Sequence, residues 1–403
     1  MKILHLSGTF LNDGASSSII NLHKKLIDNK INSECFIHYQ EADIEEKNVY
    51  LYNKNKKLND IIKDKFENYL IYLLKKNKNF AFFNNNFRGN LFEILEKRQF
   101  DILHIHWFPR LFDFKKLLGI KKPILFTLRD YWLLTGGCNY PLNCNKYENI
   151  CNNCPHLKTK LEKDLSFYNF LKKREILKKI KSKIFIVCLN KQIYNQLKKL
   201  NIFIKNHIYY IPNAINDEFF FKQNKIRNNS KKKIILFGAQ NLDQEWKGSD
   251  ILIKLSKKID SNKYSLLSYG KISKNLEKKI MENIEYKNLG IVENTKLHEI
   301  YNNSDCFLFP SKIETFGKVI LEALFCGTPV VAFNQFAAKD IISHKINGYL
   351  VKPYDLNDLL IGINYAINKI EFNKEALDKI KINYGLNKIA KDYERIYSNI
   401  LKT

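Results

Sequence analysis

The stretch Asp305–Phe333, DCFLFPSKIETFGKVILEALFCGTPVVAF, constrains the fold more than any other part of the chain. Cys306-Phe307-Leu308-Phe309 is a short apolar run stopped by Pro310, as in a parallel strand buried on both faces. Ser311 to Gly317 is a polar loop, and Lys318 to Phe325 carries apolar residues at helical spacing. Gly327-Thr328-Pro329 ends that helix, and Val330-Val331-Ala332-Phe333 is the next strand. The order predicts an α/β unit with a loop and a helix N-terminus beyond the carboxyl end of a strand. Open α/β sheets bind ligands there. A helix that starts near Gly317 has free N–H groups suited to a diphosphate. Glu314 lies in the loop and Glu322 on the helix, so one carboxylate is available to a sugar and the other to a ribose.

This string resembles the nucleotide-sugar site of glycosyltransferase family 4, the retaining group with the GT-B fold. The family pattern PS-x-x-E-x-F-G-x-x-x-x-E-A is matched at Pro310, Ser311, Glu314, Phe316, Gly317, Glu322 and Ala323. Two spaced glutamates alone would favour an ordinary βαβ unit with surface acids. The resemblance implies an α/β chain of two Rossmann-like domains facing across a cleft, with the C-terminal helix crossing back to the first. The boundaries expected are 1–208 for an acceptor-binding domain, 209–385 for a donor-binding domain and 386–403 for the returning helix. It also implies a UDP- or GDP-linked sugar donor, a glycan or lipid-linked glycan acceptor, and no catalytic metal. Glu314, Thr315, Phe316, Gly317 and Glu322 are the donor contacts it implies.

A length of 403 residues suits two domains, and 45% apolar residues supply their cores. The net charge of +26 admits nucleic acid, acidic lipid or anionic substrates as partners. The excess is mostly Lys and comes with abundant Asn and Ile, as an AT-rich coding sequence would produce. Without clustered arginines, a zinc finger or a single-strand-binding signature, nucleic acid is not expected. No apolar run reaches the roughly 18 residues that span a bilayer. The start, MKILHLSGTF, is too short and polar for a signal peptide, so a cytoplasmic protein is expected. Its eight cysteines are then thiols or metal ligands.

In chain order, Lys2 to Leu6 predicts a first strand and Ile19 to Leu26 a helix. Between them Asp13-Gly14-Ala15 stands where the family has G-G-A, which implies a donor-side role for Gly14; a plain βα turn is the alternative. Between Asn59 and Arg88 a stripe of Ile62, Phe66, Tyr69, Leu70 and Leu73 is followed by Lys75, Lys76, Lys78 and then Phe80, Phe82 and Phe83. Basic residues beside exposed aromatics suit peripheral contact with an acidic membrane surface. An internal helix with a solvated basic end is the alternative.

Asp101 to Trp107 and Pro123 to Leu128 predict strands, the second followed by Arg129-Asp130-Tyr131-Trp132. Residues 101–157 resemble a subgroup of the family with D-x-x-H-x-H-W, T-x-H-D-x-W, T-G-G-C and a CP pair. Arg129 stands where many members carry His. Arg can hold a phosphate or a sugar hydroxyl, but it cannot serve as a neutral base. Asp130 is kept, to orient the acceptor or to position Arg129. Cys138, Cys144, Cys151 and Cys154 are spaced C-x5-C-x6-C-x2-C, which predicts a tetrahedral structural zinc with no open coordination position. A loop of free thiols is the alternative. Cys35, Cys188, Cys306 and Cys326 lie singly in apolar segments and read as core. His207 to Asn216 reads as a crossing strand and turn that resembles the family's interdomain connection, and Lys222 to Lys233 as a linker-like loop. Gly238 to Gly248 resembles the family's G-R…K-G segment, in which the Lys neutralises the donor diphosphate. Lys247 and Gly238 match, and Ala239 replaces the Arg.

The reading is a retaining glycosyltransferase of cell-surface polysaccharide or lipooligosaccharide synthesis, with Glu314, Lys247, Arg129 and Asp130 at its reacting centre. The second reading is a sugar-binding or scaffold protein of the same fold with weak turnover.

Overall fold

The structure, a computed structural model, describes residues 1–8, 14–38, 46–52, 58–78, 80–86, 91–109, 111–215, 232–371 and 374–403. Asp13, Asn216 and the linker-like residues 222–231 lie outside the described residues. The chain divides into two compact units, Met1–Pro212 with Ile389–Thr403, and Asn213–Lys388.

Unit 1 begins with β1 (Lys2–Ser7), α1 (Gly14–Asp28), β2 (Asn32–His38), β3 (Val49–Tyr52), α2 (Leu58–Leu74) and α3 (Leu91–Glu96). It continues with β4 (Ile102–Trp107), β5 (Ile124–Leu128), α4 (Leu165–Lys179), β6 (Ile184–Cys188), α5 (Lys191–Lys199) and β7 (Ile208–Tyr210). Its described strands are parallel, in the order β3-β2-β1-β4-β5-β6-β7. The reversal between β1 and β4 is the switch point at which a doubly wound sheet opens a crevice. The strands at its centre are almost wholly buried, His5, His104 and His106 included, as in parallel strands covered on both faces. Ile208–Tyr210, within the crossing strand expected there, pairs with β6 and so forms the edge strand of this sheet.

Unit 2 repeats the plan. It contains β8 (Lys233–Asn241), α6 (Ser249–Ser256), β9 (Tyr264–Lys271), α7 (Lys274–Met281), β10 (Tyr286–Asn288) and α8 (Asn294–Asn302). There follow β11 (Cys306–Phe309), α9 (Lys318–Phe325), β12 (Val330–Phe333), α10 (Phe336–Ile341), β13 (Gly348–Val351), α11 (Leu356–Lys369) and α12 (Lys374–Tyr384). The order β10-β9-β8-β11-β12-β13 is again all parallel and reverses between β8 and β11. One core of Ile235, Phe237, Leu252, Leu255, Leu308, Val331, Val351 and Leu359 fills one face of this sheet.

The last helix, α13 (Leu386–Ile400), belongs from Ile389 onward to unit 1. It buries Ile389, Ala390, Tyr393, Ile396, Tyr397 and Ile400, a single helical face.

Helix α2 departs from expectation. Ile62, Phe66, Tyr69, Leu70 and Leu73 are exposed, by 42–61%, while Ile71 on the opposite side is buried. The internal-helix alternative is therefore corrected. Phe80 and Phe82, read as exposed aromatics, are buried with Cys138, Cys154 and Leu157. Backbone bridges Lys75–Leu157 and Phe82–Cys138 stitch this segment onto the cysteine loop and draw the rings inward. Lys63 and Lys65 on the helix, and Lys76 just beyond it, are exposed beside its apolar face. No helix among the described residues is long and apolar enough to cross a membrane.

Candidate functional site

In unit 2 the exits of β8 and β11 meet. A single turn of 3-10 helix, Glu245–Lys247, ends at Gly248, whose φ of +83° opens α6. A Cβ on Gly248 would lie 2.2 Å from the Pro310 carbonyl oxygen, so only glycine lets the two exits approach this closely. The Lys312 N–H donates to the Trp246 carbonyl at 2.8 Å, and the Lys312 ammonium pairs with Asp250 at 2.9 Å. Gln335 Nε2 donates to the Lys312 carbonyl at 2.9 Å from the far side of the loop. These contacts bring Lys247 and Glu314 together. Lys247 Nζ donates to Glu314 Oε2 at 2.5 Å, and both side chains are largely buried.

Gly317 follows with φ +74° and is the N-cap of α9, with no side chain capping the helix. The first N–H groups of α9 are left to whatever anion arrives. Thr315 and Phe316 are buried, and the Phe316 ring sits 6.2 Å from that of Tyr384. Glu322 is buried on α9. It accepts from the Tyr301 hydroxyl at 3.2 Å and pairs with Lys318 at 3.5 Å. Tyr301 is linked in turn to Tyr269 at 2.6 Å. Burial, then the neighbouring phenol and the Glu322 charge, hold the Tyr301 hydroxyl well above its ordinary pKa, so it stays protonated and able to donate. Gly238 gives room to the Tyr269 ring, which a Cβ would meet at 2.0 Å. Ala239 is buried and offers no charge where the resembling family has Arg.

In unit 1, Arg129 and Asp130 follow β5, and Gly14 opens α1. The Arg129 guanidinium lies 3.3 Å from His106 Nδ1. A guanidinium only donates, so His106 Nδ1 accepts and His106 Nε2–H donates to His5 Nδ1 at 2.9 Å. His5 Nε2 therefore carries the proton, and it finds no partner among the described residues. His104 contacts the Tyr397 hydroxyl and the Thr127 hydroxyl, both at 2.8 Å, and Thr127 contacts Tyr393 at 3.1 Å. Helix α13 thus delivers two phenols to the carboxyl ends of β4 and β5. Burial, neighbouring imidazoles and Arg129 push His104 and His106 far down, and burial and His23 do the same to His5, so all three are neutral at pH 7. Their ligand atoms lie within 4.8 Å of one another. A dication there would face the Arg129 guanidinium, which lies 3.3 Å from His106 Nδ1 and repels it.

Asp130 is buried. Its Oδ2 accepts from Trp107 Nε1 at 2.6 Å and its Oδ1 from the Trp132 N–H at 2.8 Å. Burial raises its pKa to about 6 against the pull of those two donors and of Lys173. Both carboxylate oxygens are engaged in holding the Trp107 and Trp132 segments.

Cys138, Cys144, Cys151 and Cys154 line a single cavity, with about 20 Å³ open to the centre of a water-sized sphere. That is room for one water or ion. Cys138, Cys151 and Cys154 are buried and Cys144 is at intermediate exposure. Burial and the neighbouring thiols push Cys138 well up; burial lifts Cys151 to about 12 and Cys154 to about 11. Among the described residues the three imidazoles are the group whose ligand atoms all come within 4.8 Å, so the thiols are spaced more widely.

His5, Tyr269, Tyr301, Tyr393 and Tyr397 carry no signal of their own in the sequence. His5 is a lone polar residue in an apolar strand, and the tyrosines sit on ordinary strand and helical faces.

Residues 218–381 match the family of glycosyl transferases group 1. The group 1 match covers most of unit 2, the part that holds Lys247, Glu314 and Glu322. An uncharacterized 41.2 kDa protein in the cps region of Klebsiella pneumoniae is 30% identical over 203 residues, 48% of this chain and 56% of that protein. An uncharacterized glycosyltransferase of Methanocaldococcus jannaschii is 30% identical over 191 residues, 47% of this chain and 51% of that protein. The chain thus spans about half the length of these curated relatives. Among solved structures, a glycosyltransferase from Rickettsia africae aligns with a TM-score of 0.66 at 19% identity, over 100% of this chain and 99% of that one. Anabaena HepE in complex with UDP-glucose aligns with a TM-score of 0.66 at 15% identity, over 99% of this chain and 100% of that one. At such identities the likeness establishes the fold: two Rossmann-like α/β units, as in GT-B glycosyltransferases.

Proposed function

We propose that this chain is a retaining glycosyltransferase that moves a sugar from a UDP- or GDP-linked donor to a glycan or lipid-linked glycan acceptor. The observation that carries the reading is the Lys247–Glu314 pair beside the uncapped N-terminus of α9. In this reading the donor diphosphate takes Lys247 and the α9 N–H groups, which frees Glu314 for the sugar hydroxyls; Glu322 holds the ribose. As the C1–oxygen bond of the donor breaks, its electron pair goes to the diphosphate. The cation and the helix dipole then face the charge that develops there. The acceptor hydroxyl bonds to C1 and gives up its proton to the departing diphosphate oxygen. On unit 1, Arg129 is assigned as a further catalytic cation, and Asp130 positions the segment that carries it. The mechanism calls on no metal.

The likeness to a protein of a cps region supports a setting in cell-surface polysaccharide or lipooligosaccharide assembly. The exposed apolar and basic face of α2 supports work at the inner face of the cytoplasmic membrane. Thermal stabilisation across a panel of nucleotide sugars, joined to nucleotide release with acceptor extracts, tests the proposal. Stabilisation by one donor together with acceptor-dependent release is expected. Tight binding without release would establish the sugar-binding scaffold instead, and neither response would reject the donor site.

A further inference from the structure

We propose that Cys138, Cys144, Cys151 and Cys154 hold one zinc ion as four thiolates, and that buried Lys173 with Arg174 beside it offsets the charge of that centre. Zinc with four thiolates carries a net charge of −2, which a protein interior tolerates only beside compensating cations and N–H donors. Both are in place. The Cys151 sulfur accepts the Gly136 N–H, and the Cys154 sulfur accepts the N–H groups of His156 and Leu157. Amides that reach back to sulfur favour a thiolate over a thiol. The turn at Cys154 is fixed further by its own N–H, which donates to Asp164 Oδ2 at 2.6 Å, and Asp164 caps α4.

Lys173 lies on that same helix and is only 1% exposed. Its ammonium donates to the Trp132 carbonyl and sits 3.8 Å over the Trp132 ring. Among the described residues no carboxylate lies within the 4.0 Å of an ion pair, and the acids bearing on it are Asp130 and the Cys151 and Cys138 thiols, which become anionic on binding zinc. A buried ammonium without such a partner is costly, so a position like this is built for anions close by. Arg174 donates to the Tyr147 carbonyl at 2.7 Å and also faces Cys151. The cavity itself has space for one ion. In the present structure the thiols are more widely spaced than zinc requires, so binding of the ion requires their side chains to rotate inward. The bound ion locks residues 138–154 against α4, and through Lys173 it holds the Asp130–Trp132 segment.

The test uses the full chain purified under reducing conditions from zinc-containing medium. About one zinc per chain is expected, with cobalt exchange giving the absorption of a tetrahedral cobalt–thiolate centre. Only trace metal, or disulfides among these cysteines, overturns the site. Cys144→Ser, at the most exposed ligand, is expected to weaken the cobalt–thiolate charge-transfer band; an unchanged spectrum overturns the four-ligand set. Lys173→Met is expected to weaken zinc binding by about 10–100-fold in competition with a chromophoric chelator, and Lys173→Arg to restore most of it. Equal affinity in Lys173→Met overturns the role of the lysine. Should that variant not fold, Arg174→Gln is read in the same assay, and unchanged affinity there overturns the charge compensation.

Discussion

Replacing Gly248 with Ala tests whether the close approach of two loops sets the donor site. Two costs follow from the structure. The backbone at Gly248 has φ +83°, which an L-residue adopts at a cost of roughly 1–2 kcal/mol. The new methyl would also stand 2.2 Å from the Pro310 oxygen, about 1 Å inside ordinary contact, and relief of such overpacking costs about 1–3 kcal/mol. For a unit of 176 residues the sum of about 2–5 kcal/mol lowers Tm by roughly 5–15 °C. Gly327 supplies the control. Its φ is +72°, yet a Cβ there meets nothing within 4 Å, so Gly327→Ala bears the backbone cost alone. Calorimetry of the two variants separates conformation from collision. Activity separates them further, because relief of the clash moves Pro310 away from Lys247 by about 1 Å and opens the Lys247–Glu314 pair. A displacement of that size can cost about 100-fold in turnover. If Gly248→Ala melts with Gly327→Ala and turns over like the natural protein, the contact with Pro310 does not hold the site together.

Other outcomes follow from the same geometry. Lys247→Ala and Glu314→Ala are each expected to lower turnover by about 10²–10³-fold in a nucleotide-release assay, and near-natural rates in both would remove them from the site. Asp130 has its folded pKa raised to about 6, above its ordinary 3.8. The native state therefore binds more protons between pH 4 and 6, and stability falls as pH climbs through that window. Asp130→Asn should flatten that slope in denaturant titrations and abolish an acid limb of turnover near pH 6; an unchanged pH profile argues against any role for its charge. On α2, Phe66→Ser and Leu70→Ser should each weaken binding to anionic vesicles by about tenfold or more, and unaltered binding would dissociate that face from membranes.

Some of this was legible in the sequence because local chemistry is self-announcing. Pro310 and Gly327-Thr328-Pro329 bracket β11, α9 and β12, and the helix begins at Lys318 as its spacing predicts. The four isolated cysteines read as core are all buried. What stayed hidden depends on distance along the chain. Lys247 and Glu314 are 67 residues apart, and their pairing arises only because Gly248 lets two loops touch. His104 and Tyr397 are separated by 293 residues, which no local pattern encodes. Lys173 sits in LKKREILKK, where every basic residue looks alike, and only the fold selects the one that is buried. Helix α2 teaches a different lesson. Periodicity marks an apolar face, but it does not say what covers that face, and here none of the described residues does.

The division of unit 1 into Met1–Pro212 and Ile389–Thr403 has a consequence for synthesis. The imidazoles of His5, His104 and His106 emerge from the ribosome long before Tyr393 and Tyr397. At about 5–20 residues per second the 176 residues of unit 2 take roughly 10–35 s to make. Unit 2 can fold in that time. The first sheet waits with His104 lacking its phenol and the groove for α13 uncovered. The earliest-made part of this protein is therefore the last to be finished.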